Sequence, residues 1–148
     1  GDAFVIRTAG QVIDDAVLGS LEYSVAKLGV PLILVLGHDS CGAVTEARRT
    51  VDTGEMPGGH LRNLVERITP SVLAAQRNGL TEVNDMVVEH TKQTAARLVE
   101  SSSIISAAVE EGRTAVIGVS YRLAEGAADL VSGYGALTHP AVVRSPAS

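Results

Sequence analysis

The residues of this 148-residue chain best placed to do chemistry are His38 and Cys41, within Gly37-His38-Asp39-Ser40-Cys41-Gly42. Cys41 is the only cysteine. The motif follows the apolar run Pro31-Leu32-Ile33-Leu34-Val35-Leu36, so it falls where a buried strand would hand over to a helix. A neutral imidazole and a thiolate at that spacing can both face one zinc ion. A cysteine in the first turn of the following helix would also have its thiolate favoured by the helix dipole and nearby N–H groups. Gly37 and Gly42 permit close backbone approach. This local chemistry suits a metal thiolate, a reactive cysteine, or an anion held at a helix N-terminus. The plainest alternative makes Cys41 a small buried hydrophobe and His38 a local cap. His60 beside a Gly-rich loop, His90 in mid-helix and His139 in the tail read as ordinary surface or half-buried residues. No Ser-His-Asp order and no phosphate loop ending in Gly-Lys-Ser/Thr is present.

The elements that must position this motif can be read from periodicity. Ala3 to Thr8 is a short apolar, β-branched run ended by Ala9-Gly10 and reads as a strand. Asp14 or Asp15 can cap the next segment, where Leu18, Leu21, Val25 and Leu28 recur at helical spacing until Gly29. Pro31 to Leu36 has the continuous apolar pattern of a strand covered on both faces. Strand, helix and buried strand in succession form a βαβ unit, and so a parallel sheet. A helix is expected from Gly42 through Ala47, a surface loop over Thr53–Gly59, and a helix over Leu61–Gln76 interrupted near Pro70. The longest helix is expected over Glu82–Glu110, with Val83, Val87, His90, Thr94, Leu98, Ile105 and Ala108 on or near one face. Ala115–Tyr121 reads as a second buried strand and Ala124-Glu125-Gly126 as a turn. Residues from Gly133 to Ser148 read as an extended or disordered tail.

Composition narrows the function classes. The length suits one domain, and the hydrophobic fraction of 45% is enough for a real core. Aromatics are 3% and Trp is absent, so Val, Ile, Leu and Ala must fill it. A net charge of -5 argues against nucleic-acid binding, which needs clustered Lys and Arg. No apolar run approaches the roughly 18 residues of a membrane span. One cysteine makes no internal disulfide, so nothing points to a secreted, stapled scaffold, and the expected compartment is the cytoplasm; the absence of a visible signal peptide counts for little in a chain that opens inside a strand. The chain opens at Gly1 inside what reads as a strand, and the expectation is that an N-terminal part is missing.

Taken together, Gly1-Asp2-Ala3-Phe4-Val5-Ile6-Arg7-Thr8-Ala9-Gly10, Leu21-Glu22-Tyr23-Ser24-Val25 and Val35-Leu36-Gly37-His38-Asp39-Ser40-Cys41-Gly42 resemble a β-class carbonic anhydrase, most closely the actinobacterial members. Val116–Tyr121 is similar to a later strand of that family, and the resemblance reaches about Val131. It implies an α/β fold, a parallel β-sheet core flanked by helices, over residues 1–132, with 133–148 as the tail. It also implies a Zn2+ ion held by two cysteines and one histidine, of which His38 and Cys41 match the histidine and the second cysteine. Phe4 and Tyr23 match apolar positions that line the cleft across a dimer interface, and Arg7 matches an arginine that helps bind regulatory bicarbonate in some members. The implied activity is reversible hydration of CO2 to bicarbonate and a proton by a metal-bound hydroxide, in a homodimer or homotetramer. The family's first zinc cysteine sits in a Cys-x-Asp-Ser-Arg motif that these 148 residues do not contain. With it would go an Asp–Arg pair and a strand that, in the family sheet, lies between the strands of Phe4 and Leu34. The expectation is therefore a partial domain lacking its first core strand, with a gap in its ladder and no activity by itself. A metal-free relative acting as a binding subunit and a cysteine-based redox or anion-binding domain are the two alternatives.

Overall fold

Apolar runs become strands in this chain, and the amphipathic segments between them become the helices that cover them. The computed structural model describes residues 3–7 and 9–135. Strands β1 (Phe4–Ile6), β2 (Leu32–His38), β3 (Ala115–Arg122) and β4 (Ala127–Tyr134) form one sheet in the order β1-β2-β3-β4. The first three are parallel and β4 is antiparallel to β3. Helices α1 (Asp15–Ala26), α2 (Gly42–Thr53), α3 (Leu61–Arg77), α4 (Val83–Ser101) and α5 (Ser103–Glu110) complete the fold, with a 3-10 turn over Ala9–Gln11. The α/β sheet flanked by helices is the architecture expected from the sequence.

Two apolar clusters hold the layers together. One joins Ile6, Ile33, Val35 and Val116 of the sheet to Leu21, Val25, Leu98, Ile105 and Ala108 of the helices. The other packs α2, α3 and the first half of α4 through Val44, Val65, Ile68, Val72, Met86 and Val87, and includes Cys41. Helix α4 therefore spans both. Burial alternates along β2 because its second face, carrying Leu32, Leu34 and Leu36, is only half-buried, whereas β3 is buried from Ala115 to Ser120.

Local signals worked where the chemistry is local. Asp14 caps α1, its carboxylate accepting from the Val17 N–H at 2.8 Å. Gly54 closes α2 at φ 77, so that helix runs six residues beyond the expected Ala47. Leu28 lies past the end of α1 and is exposed.

Several expectations are corrected by tertiary contacts. Helix α3 runs through Pro70 uninterrupted, since Val65, Ile68, Val72 and Ala75 are all fully buried on either side of it. The single helix expected over Glu82–Glu110 is two, divided at Ser102 with φ -120 and ψ 113. Buried Ser102 donates to Glu22 Oε2 at 2.6 Å and its Oγ accepts from the Ile105 N–H at 3.1 Å, so one hydroxyl caps α5 and ties it to α1. Ser102→Ala should cost about 1–2 kcal/mol through loss of the cap and of Glu22's partner, read as a lower midpoint in urea.

The gap expected between the strands of Phe4 and Leu34 is absent. β1 pairs directly with β2, placing Phe4 beside Ile33, Val5 beside Leu34 and Ile6 beside Val35. Two strands with open ladder groups satisfy them against each other sooner than leave them unpaired. Strand β4 was not expected either: its Ala, Asp and Gly residues carry little β signal, and it forms on the buried edge of β3. Gly133 and Tyr134, the start of the expected tail, pair with Ile117 and Val116. Residues 136–148, with His139, lie outside the described residues.

Candidate functional site

The carboxyl ends of β2 and β3 deliver the site, as is usual for ligand crevices of open α/β sheets. His38 is the last residue of β2, in register with Tyr121 of β3. Asp39 and Ser40 make the turn, and Cys41 is the N-cap of α2. The motif thus stands at the strand-to-helix junction that the apolar run predicted.

The turn is held at three points. The Asp39 N–H donates to the Tyr121 carbonyl at 2.9 Å, extending the β2–β3 ladder by one bond. Asp39 Oδ1 accepts from the Leu123 N–H at 3.1 Å. Ser40 sits at φ 56, a left-handed conformation that costs a non-glycine residue energy, and its N–H donates to Asn84 Oδ1 on α4 at 3.0 Å. Beneath the turn, Gly37 has no room for a side chain. A Cβ there would overlap Thr91 Oγ1 and lie 3.0 Å from both Gln11 Nε2 and Val87 Cγ1. Gly37→Ala should therefore destabilise by about 1–3 kcal/mol and displace the turn, seen as a lower melting temperature. Gly42, by contrast, has open space around its Cα, so the close approach expected there is not found.

The two donor side chains differ in setting. His38 is exposed, and its Nδ1–H donates to the Asp39 carbonyl at 2.8 Å. A carbonyl oxygen only accepts, so this bond assigns the proton to Nδ1 and leaves the Nε2 lone pair outward and free. Cys41 is 3% exposed and makes no capping bond through its sulfur. Its carbonyl is used instead, accepting from the N–H and the hydroxyl of Thr45 at 3.0 and 2.8 Å. The thiol lies against the second apolar cluster, so the packing role also weighed from the sequence is met. One imidazole nitrogen and one thiol on a pinned turn suit two positions of a tetrahedral N/S metal site. Among the described residues, no group of three His, Cys, Asp or Glu could hold a metal ion.

Phe4 and Tyr23 are not brought to this turn within the chain. Phe4 aligns with Ile33, five residues before His38, a separation of roughly 16 Å along the strand. It is half-buried against the first apolar cluster. Tyr23 projects from α1 with 59% of its surface exposed. Arg7, exposed, follows β1 at the same end of the sheet as His38. Sequence reading missed Asn84, Tyr121 and Leu123 as supports of the turn. The only hint was Gly37 inside a strand, which signals a close neighbour without naming it.

The other histidines divide by depth. His60 is exposed before α3 and its side chain makes no cap. His90 is buried on α4, its Nε2–H donating to the Gly10 carbonyl and its Nδ1 accepting from the Ser71 hydroxyl at 2.8 Å. Burial, and secondarily the charge of Arg97, push its pKa down from 6.5 to about 4 against the opposing Gly10 bond.

Residues 1–128 match the model of a family described as carbonic anhydrase. The chain is 52% identical over 130 residues to carbonic anhydrase 2 of Mycobacterium tuberculosis, covering 88% of this chain and 63% of that protein. It is 49% identical over 135 residues to a carbonic anhydrase of Mycolicibacterium smegmatis, covering 91% and 66%. It thus spans less than two thirds of the length of either. Its fold is similar to a β-carbonic anhydrase of Sordaria macrospora described as tetrameric, with TM-score 0.75 and 21% identity over 88% of this chain and 68% of that one. A Coccomyxa β-carbonic anhydrase in complex with acetazolamide gives TM-score 0.73 at 18% identity, over 98% and 78%.

Proposed function

This chain belongs to the β-class carbonic anhydrase family, and we propose that it serves the reversible hydration of CO2 to bicarbonate and a proton, a carbonate dehydratase (lyase) reaction. The observation that carries the reading is the His38–Cys41 turn: a free Nε2 and an unengaged thiol, pinned through Asp39 and Ser40 to β3 and α4. These two side chains would hold zinc, whose chemistry when bound is to lower the pKa of a water from ~16 to roughly 7 and so supply a nucleophile for CO2. The Asp39 carbonyl fixes the tautomer and plane of His38, keeping Nε2 as the donor. Asn84 holds Ser40 in its strained conformation, and with it the spacing between the two donors.

Three protein ligands with one open position define a catalytic zinc site, and this turn supplies two. The reading therefore requires a further thiolate from outside the described residues, and the chain as given is expected to be inactive alone. Phe4 and Tyr23 are assigned to the walls of a neighbouring copy's cleft. The roughly 16 Å between Phe4 and His38 in one chain, and the exposure of Tyr23, both support that assignment. A homodimer or homotetramer follows, working in the cytoplasm on CO2 and bicarbonate; among the described residues no helix is long and apolar enough to cross a membrane.

The test is zinc content, free-thiol titration and CO2 hydration, measured on the 148 residues alone and on the same chain extended to include the missing thiolate. The extended protein should hold about one zinc per chain, protect Cys41 from thiol reagents and hydrate CO2; the short chain should do none of these. An extended protein with no zinc and a titratable Cys41 would instead identify a metal-free relative acting as a binding subunit.

A further inference from the structure

Beneath the His38–Cys41 turn lies a second, strained turn at Gly10 and Gln11. Both residues are left-handed, Gly10 at φ 58 and Gln11 at φ 49. Glycine enters that region freely, whereas glutamine does so at a cost. Such strain persists only where the surroundings over-determine it, and two adjacent residues of α4 do so here. The His90 Nε2–H donates to the Gly10 carbonyl. The Thr91 hydroxyl donates to Gln11 Oε1 at 3.2 Å, sharing its proton with the Val87 carbonyl at 2.8 Å. Gln11 is 2% exposed, so this long polar side chain is spent entirely inside the protein.

Both halves of the candidate site rest on this turn. Gln11 Nε2 lies 3.0 Å from where a Cβ on Gly37 would stand, so the amide sits against the residue that precedes His38. Gly10 lies against α2 and α3, where a Cβ would meet Ala43 Cβ at 3.3 Å and Ile68 Cδ1 at 2.5 Å. Ala43 stands two residues after Cys41, in the first turn of α2. Two neighbouring residues therefore abut the end of β2 that carries His38 and the start of α2 that carries Cys41. An apolar side chain would fill the place of Gln11 at a lower desolvation cost. An amide held by Thr91 is fixed in direction as well as in volume.

We propose that Gln11 is a positioning residue for the His38–Cys41 pair. Locked by Thr91, its amide sets the height of Gly37, and the Gly10–Gln11 turn sets the start of α2. The separation of the His38 imidazole from the Cys41 thiol is fixed through these two contacts. The proposal rests on the reading of that pair as zinc ligands. Gln11 reaches His38 through Gly37, and supports of this kind change metal affinity by roughly 10- to 100-fold when removed.

The test compares three variants. Gln11→Met keeps the length and removes the amide, Thr91→Val removes the hydroxyl that holds it, and Ser102→Ala destabilises the chain at the far end of α4 from Asn84. In the extended protein, cobalt(II) is titrated against a chelator of known affinity and its visible absorption is recorded. In the metal-free 148-residue chain, the rate of Cys41 with a thiol reagent and the His38 tautomer, from its ring nitrogen shifts, are followed. Gln11→Met and Thr91→Val should each weaken cobalt binding by roughly tenfold or more, alter the cobalt spectrum, raise the Cys41 rate and mix the His38 tautomers. Ser102→Ala should lower the melting temperature and move none of these. Should Gln11→Met not fold, Thr91→Val decides. A wild-type extended protein that takes up no cobalt overturns the zinc reading, and the two metal-free measurements still judge the positioning role. Folded Gln11→Met with the wild-type cobalt affinity and spectrum, or with metal-free changes no larger than those of Ser102→Ala, overturns the proposal.

Discussion

If the turn holds zinc as proposed, replacing His38 with alanine in the extended protein should abolish metal retention and CO2 hydration while leaving the fold intact. His38 is exposed and bonds only its neighbour's carbonyl, so its removal should change stability by less than about 0.5 kcal/mol. Loss of a metal ligand is far more severe than loss of a supporting residue, which typically costs 10- to 100-fold, so turnover should fall by more than about 100-fold. Cys41→Ser should do the same to zinc. It also places a hydroxyl in an apolar cluster, adding a stability cost of about 1–3 kcal/mol that His38→Ala does not carry. Comparing the two variants separates the metal role of the turn from its packing role. Zinc and turnover at unaltered levels in a folded His38→Ala protein would sink the assignment.

Acid should unfold this protein through a residue outside the His38–Cys41 turn. Folded His90 takes up a proton only near pH 4, whereas in the unfolded chain it does so near 6.5. Between those values the unfolded state binds more protons, so stability falls as pH drops through the window from about 6.5 to about 4. The full effect is on the order of 3 kcal/mol, a large share of the stability of a domain this size. The cause is burial first, since a charged ring would sit in the interior beside Arg97, and its bond to Gly10 only partly offsets this. His90→Gln should be less stable at neutral pH, having lost the geometry that joins Ser71 to Gly10, but should lack this acid slope. Urea melts from about pH 4 to 7.5 decide the matter: an unchanged slope in the variant would transfer the acid sensitivity to other groups.

How legible the molecule was depends on the range of the forces involved. The β1–α1–β2 unit, the Asp14 cap and the place of His38 and Cys41 at a strand-to-helix junction were all readable. Each rests on periodicity or a hydrogen bond within a few residues, and neighbouring residues dictate both. That the buried strands run parallel followed from the same runs. Tertiary structure alone decided what supports the site. Ser40 is held by Asn84, forty-four positions away, and Asp39 by Leu123, eighty-four positions away; no local signal announces such partners. The same is true of Ser102, where a triplet of serines could have continued a helix and Glu22 of α1 helps hold the break. Strand β4 exists because β3 offers it a buried edge, and β1 meets β2 because open ladder groups must be paired. The donors of this protein were written into one short segment, while the geometry that makes them a site was set by residues that only folding brings to it.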